Sequence, residues 1–222
     1  MTRRISLNLL KLTNEQQKKL CLGIRIMIEY TCLIMKEEAV REALHTFLRD
    51  NLKDKYFNSL IIDELGLMEG SFRVDMAVIH KDEMHGFEIK SAADNLKRLP
   101  AQQENYCKVF DRMTLVCDQK HVAEALEIVP KWWGLICVSE KDDRPYLNEI
   151  WPSRTNFEVD PYSMCQLLWR EEAFALLREN GMHRGFRKGS RKKMWKALAS
   201  TLDTSEIRRA IRLKLAARKD WR

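Results

Sequence analysis

The 222-residue sequence contains no C-x-x-C pair, no internal repeat, no low-complexity segment and no apolar run that reaches bilayer length free of charge. Its six cysteines, Cys21, Cys32, Cys107, Cys117, Cys137 and Cys165, stand singly. That scatter argues against a disulfide framework and for reduced, mostly buried thiols in a cytoplasmic protein. The absence of biased tracts, with 45% hydrophobic and 32% charged residues, excludes disorder as the default state. The most apolar N-terminal stretch, "LCLGIRIMIEYTCLIM", is interrupted by Arg25 and Glu29 and is followed by no small-residue cleavage site. It reads as an amphipathic helix, so neither a signal peptide nor a membrane span is expected.

What is present is an uneven charge. Residues 1–180 carry 25 Lys and Arg against 29 Asp and Glu, whereas residues 181–222 carry 14 against 3. The overall +7 is therefore a property of the C-terminal segment.

The hydrophobic pattern divides the chain. Val40, Leu44 and Leu48 recur at helical spacing over 36–50, widened by Ala43 and Phe47. From "NSLIIDELGL" onward the pattern becomes extended, and two runs, "FRVDMAVI" and "MHGFEIK", read as a hairpin across the polar turn between them. Asp94 is expected to cap the next helical segment, with Pro100 in the first turn of a helix running to about Phe110. "RMTLVCD" and "WWGLICVSE" read as buried strands separated by the helix "HVAEALEIV", and "PYLNEIWP" is a last extended piece. Beyond Pro161 the chain reads as helices: one over "SMCQLLWREEAFALLREN", ended by Gly181, one opened by Ser190 and one opened by Thr204 or Ser205. The order implies an α/β class with a mixed sheet. It gives three parts: a helical extension over 1–34, a core over 35–160 and a basic helical bundle over 161–222.

The unusual feature is charge inside the strand-like runs. Asp75 interrupts one, and Glu88 and Lys90 share a face of the next, with Ile89 pointing the other way. If the hairpin pairs, Asp75 lies across from them, and two converging carboxylates make an oxygen-rich site suited to Mg²⁺ or Mn²⁺. An ordinary cross-strand ion pair is the simpler reading of so short a pattern. One helix later, Gln102 and Tyr106 stand at i and i+4 on one helix face.

In the order D, E-x-K, Q-x-x-x-Y, the sequence resembles the PD-(D/E)XK nuclease superfamily, and over about residues 35–180 an uncharacterised bacterial family within it. The resemblance implies a restriction-endonuclease-like core with flanking helices. It makes Asp75 and Glu88 ligands of Mg²⁺ or Mn²⁺, Lys90 the catalytic lysine, and Gln102 and Tyr106 active-site or DNA-positioning residues. It also implies a glutamate from the first helix. Glu37, Glu38 and Glu42 compete for that place, with Glu38 the candidate. The superfamily's proline is absent, since Arg73 and Val74 precede the aspartate. The implied function is Mg²⁺-dependent hydrolysis of DNA phosphodiester bonds in repair, recombination or defence, with a homodimer allowed. The alternative is a catalytically silent nucleic-acid-binding or partner-docking protein on the same core.

Asp63 and Glu64 could add a second carboxylate, although turn or capping residues are the simpler reading; His80 and His85 read as turn residues without a third zinc ligand, and Trp132 and Trp133 as packing residues. The basic tail has a clearer implication. Arg187, Lys188, Arg191, Lys192, Lys193 and Lys196, then Arg208 and Arg212, give the footprint of a surface that binds DNA phosphates, with Lys97 and Arg98 as candidate additions. Met194, Trp195, Leu198, Ile207 and Ile211 would pack those helices together.

Overall fold

The computed structural model describes residues 37–51, 58–142, 144–219 and 221. The extension expected over 1–34, with its amphipathic helix and Cys21 and Cys32, lies outside the described residues. The first described element, α1 (Glu37–Asn51), opens with Glu37 and Glu38 and carries Arg49 in its last turn, charges that suit the two ends of the helix dipole. Its buried stripe is Val40, Leu44 and Leu48.

Six strands form one sheet in chain order: β1 (Leu60–Leu67), β2 (Phe72–Ile79), β3 (Met84–Lys90), β4 (Arg112–Asp118), β5 (Gly134–Lys141) and β6 (Arg144–Trp151). β1, β2 and β3 are an antiparallel meander, β3, β4 and β5 run parallel, and β6 returns antiparallel. The parallel steps need crossovers, supplied by α2 (Leu99–Tyr106) and α3 (Val122–Ile128). Because β3 and β4 are covered on both faces, their sequences are nearly continuous in burial rather than alternating. The chain is thus mixed α/β with flanking helices, and the hairpin and the two buried strands lie where the sequence pattern puts them.

One sheet face meets α1 around Met76, Val78, Phe87, Ile89, Val116 and Ile136. The other carries a larger core that includes Tyr106, Phe110, Leu115, Trp133 and residues of the C-terminal helices such as Trp195, Ile207 and Ile211. The C-terminal helices therefore share a core with the sheet. No helix among the described residues is long and apolar enough to cross a membrane. The described cysteines, Cys107, Cys117, Cys137 and Cys165, are free, and burial pushes the Cys137 thiol up to about 11.

Three local expectations are corrected. The helix expected over "SMCQLLWREEAFALLREN" is two, α4 (Pro161–Cys165) and α5 (Arg170–Glu179). Carbonyls at the break find tertiary donors: Arg218 donates to the Leu167 carbonyl at 2.7 Å and the Trp195 indole donates to that of Leu168 at 3.2 Å. The Trp169 N–H meanwhile donates to the Glu172 carboxylate at 2.7 Å, opening α5 afresh. The last two helices are α6 (Arg191–Thr201), opened by Ser190 as expected, and α7 (Thr204–Ala216), whose cap is Asp203 in a reciprocal pair with Glu206 rather than Thr204 or Ser205. Asp94 caps no helix. Its carboxylate accepts from the Ser91 N–H at 2.7 Å and the Ser91 hydroxyl at 2.6 Å, closing a turn, and α2 begins only at Leu99.

Candidate functional site

The strand alternation slips at one step. In β2, Val74, Ala77 and Ile79 face the larger core while Met76 and Val78 face the smaller, so the phase breaks at Asp75. β1 breaks opposite it: Ile62 and Leu65 both face the larger core, and Glu64 between them has a left-handed backbone at φ 58°. Asp63 pairs with Met76 and Leu65 with Val74, so Glu64 and Asp75 occupy the same irregular rung.

Asp75 also ends the ladder between β2 and β3. Their last register pair is Met76 with Phe87, and beyond it the Ile89 N–H donates to Asp75 Oδ2 at 2.6 Å. A side chain takes a hydrogen bond that a strand carbonyl would otherwise accept, and the strands part around it.

Glu88 is 1% exposed, and both of its oxygens have hydrogen-bond partners. Lys90 Nζ and Gln102 Nε2 donate to its Oε1, the latter at 2.5 Å, and the Tyr106 hydroxyl lies 3.0 Å from its Oε2. That hydroxyl is also 2.6 Å from the Arg73 carbonyl, so one proton serves two acceptors. Gln102 Oε1 is buried without a hydrogen-bond partner. The sequence-predicted set Asp75, Glu88, Lys90, Gln102 and Tyr106 is thus brought together by β2, β3 and α2.

Glu38 does not join it. It is exposed, while Glu37, one residue and 100° around the helix, groups with Glu64 and Asp75, their carboxylate oxygens lying within 4.8 Å of one another. Arg41, one turn after Glu37, binds this group. Its Nη2 donates to Glu37 at 2.6 Å and Glu64 at 2.7 Å, and its Nη1 donates to the Asp75 carbonyl at 2.6 Å. Arg41 was not legible as a site residue. Glu64 was legible only as a candidate second carboxylate, and the rung opposite Asp75 is what gives it that place.

Burial is the main force on the carboxyl groups. It pushes Asp75 up from an ordinary 3.8 to about 7, with repulsion from Glu88 adding to it and the Ile89 N–H and Lys90 opposing it. Glu88 is raised for the same reason, against the pull of Lys90, Tyr106 and Gln102. Burial and the Glu88 charge hold the Tyr106 phenol protonated. Two carboxyls raised by confinement, beside an orphaned amide oxygen, are donors that suit a hard divalent cation.

The basic residues divide into two groups. Lys97, Arg98, Arg187, Lys188, Arg191, Lys192, Lys193 and Lys196 are exposed. Arg208 and Arg212 are not surface cations: they lie 3.2 and 3.8 Å from the carboxylate of buried Asp111, and they also donate to the carbonyls of Asn156 and Lys81. Their expected role as DNA contacts gives way to bracing α7 against the sheet. Of the remaining candidates, Trp133 is buried and stacked against Tyr106, and His85 stacks on Phe87 with its ring nitrogen 2.8 Å from the Thr114 hydroxyl.

A family model described as Bacteriophage P4 protein cII matches residues 30–220, a span that includes every element described above. The chain belongs to the bacteriophage P4 protein cII family. Among curated proteins, Protein cII of Enterobacteria phage P4 is 26% identical over 175 residues, covering 79% of this chain and 64% of the relative. The chain thus spans just under two thirds of that protein's length. No solved structure matches it.

This membership overturns the assignment to the PD-(D/E)XK superfamily, and with it the expected Mg²⁺-dependent deoxyribonuclease, its hydrolase chemistry and its setting in repair, recombination or defence. The motif letters are short, and their physical content in the cII-family chain is a mutual one: Lys90, Gln102 and Tyr106 all satisfy Glu88. Such a hub meets the bonding needs of buried polar groups whether or not a reaction takes place there.

Proposed function

We propose that this cII-family chain is a DNA-binding protein, acting in the cytoplasm, that holds the phosphate backbone through the exposed cations between Arg184 and Lys196, with Lys97 and Arg98 as further contacts. The observation that carries the reading is the state of that segment: Arg184, Arg187, Lys188, Arg191, Lys192, Lys193 and Lys196 are all exposed. The last four stand on α6, whose inner face, Met194, Trp195 and Leu198, is wholly buried, and the first three lie in the turn segment that leads into it. A dense row of cations on a rigid support is self-repelling unless an anion meets it, and DNA phosphates release counterions when they do so.

The helix, the antiparallel meander and the parallel strand that follows α2 support a restriction-endonuclease-like arrangement for the core, taken as architecture without the reaction. Within it, Asp75 and Glu88, with the Gln102 amide oxygen, are proposed to hold Mg²⁺ or Mn²⁺. The cation would relieve the repulsion between the two carboxylates and tie β2 to β3 beside the basic surface.

The test is fluorescence anisotropy with a labelled DNA duplex of arbitrary sequence across a salt series. Binding should weaken steeply with salt, and replacing Arg187, Lys188, Lys193 and Lys196 by Gln should reduce the slope of log K against log salt by about 3 to 4. Binding absent at low salt, or unchanged by the four substitutions, would overturn the reading.

A further inference from the structure

The first turn of α6 carries Arg191, Lys192 and Lys193 and no acidic residue. Cations there oppose the positive end of the helix dipole and add to one another's repulsion, so the arrangement is unfavourable in the isolated protein. Helix N-termini favour anions. An internal anion is in fact present: the Glu69 carboxylate lies 3.1 Å from Lys192 Nζ and 3.7 Å from Arg191 Nη2.

Glu69 is delivered at a backbone cost. It sits in the short turn between β1 and β2, where Met68 at φ 50° and Glu69 at φ 56° precede Gly70 at φ 90°. Two successive L residues in the left-handed region are disfavoured, because the Cβ there crowds the following carbonyl oxygen. Met68 offsets part of this by packing on the larger core, while Glu69 itself remains on the surface facing α6. Arg191 is also set over the Trp195 ring, 5.3 Å from its centroid, which holds the guanidinium at the helix end.

We infer that Arg191 and Lys192 form a phosphate subsite that Glu69 occupies in the free protein, so that DNA must displace this carboxylate to bind there. The inference rests on the DNA-binding reading and deepens it by naming one subsite and the contact that restrains it. A carboxylate and a phosphodiester oxygen present the same charge to the same pair of donors, and only one can take both. The restraint is electrostatic, and it weakens affinity at that end of the basic surface without blocking the rest.

The experiment compares wild type, Glu69→Gln, the double variant Arg191→Gln/Lys192→Gln, and the triple variant combining all three, by anisotropy with the same duplex. Glu69→Gln should tighten binding roughly three- to tenfold at low salt and steepen the salt slope by about 1 to 2, as two cations become free to meet phosphate. The triple variant should bind like the double, because the gain exists only where Arg191 and Lys192 are present. A gain of equal size in both backgrounds would mean that Glu69 acts through net charge alone and would overturn the subsite, as would no gain at all. Binding by Glu69→Gln where wild type shows none would support the restraint in its strongest form. Binding by neither would remove the DNA-binding reading itself, and the subsite with it.

Discussion

Asp75 Oδ2 accepts the Ile89 N–H at 2.6 Å, one residue beyond the last rung that joins β2 to β3. This bond makes an ionisable side chain part of the sheet's own ladder. The site's charge and the sheet's integrity are therefore coupled.

The first consequence concerns pH. The Asp75 carboxyl titrates near 7 in the folded chain and near 3.8 when unfolded, so between those values the folded state holds the proton that the unfolded state has released. Stability should accordingly fall as pH rises from about 4 to about 7 and level off above, and the raised Glu88 contributes in the same direction. Asp75→Asn keeps an oxygen for the Ile89 N–H and removes the charge. Urea denaturation across that range should show a flatter profile for the variant and a stability at pH 8 equal to or above that of wild type. A profile unchanged by the substitution would place the titration elsewhere.

The second concerns cations. Above about pH 7 the Asp75 carboxyl ionises beside Glu88, and the repulsion between the two groups is the condition a divalent ion relieves. Thermal melting in millimolar Mg²⁺ or Mn²⁺ should rise by an amount corresponding to about 1–3 kcal/mol, less at pH 5.5 than at pH 8. Glu88→Gln and Asp75→Asn should each abolish the rise. If wild type and both variants melt alike with and without the ion, the hub is held by hydrogen bonds alone.

The third separates the two groups of basic residues. Asp111 is buried, accepts the Met84 N–H at 2.7 Å and receives Arg208 and Arg212 from α7. Asp111→Asn leaves two half-buried guanidinium groups without their counter-charge and should cost roughly 3 kcal/mol by urea denaturation. Arg208→Gln should likewise lower stability while leaving the salt slope of DNA binding in place. The reverse pattern is expected for Lys188→Gln and Lys196→Gln, whose side chains are exposed.

Much of this was legible because it is written in short periods. The four-residue stripe of Val40, Leu44 and Leu48, the two apolar runs around Asp75 and Glu88, and the i, i+4 pair Gln102 and Tyr106 all depend on neighbours a few positions apart. The meeting of Asp75 with Glu88 followed from the same local rule, since a hairpin brings its own flanks together. The function read from those letters was misplaced, because D, E-x-K and Q-x-x-x-Y describe a spacing, and the family match over 30–220 places that spacing in the cII family.

What escaped the sequence depends on partners far apart along the chain. Arg212 reaches a carbonyl 131 residues away, and Arg218 reaches Glu172 at 2.6 Å, the Leu167 carbonyl, and the rings of Trp169 and Trp221 at 4.1 and 4.8 Å. A run of arginines carries no mark that tells a brace from a surface contact, and that distinction was decided by where α7 lies on the sheet. By itself the sequence determined the strands and the hairpin that brings Asp75 toward Glu88, through side-chain period and backbone preference, whereas the approach of Gln102 and Tyr106 to Glu88 was implied only by the resemblance. Only the tertiary structure decided that α4 and α5 are separate, that Glu37 rather than Glu38 meets Asp75, and which cations remain open to solvent. Each of these is a competition between a local preference and a distant hydrogen-bonding or charged group, and the distant group enters only when the chain has folded.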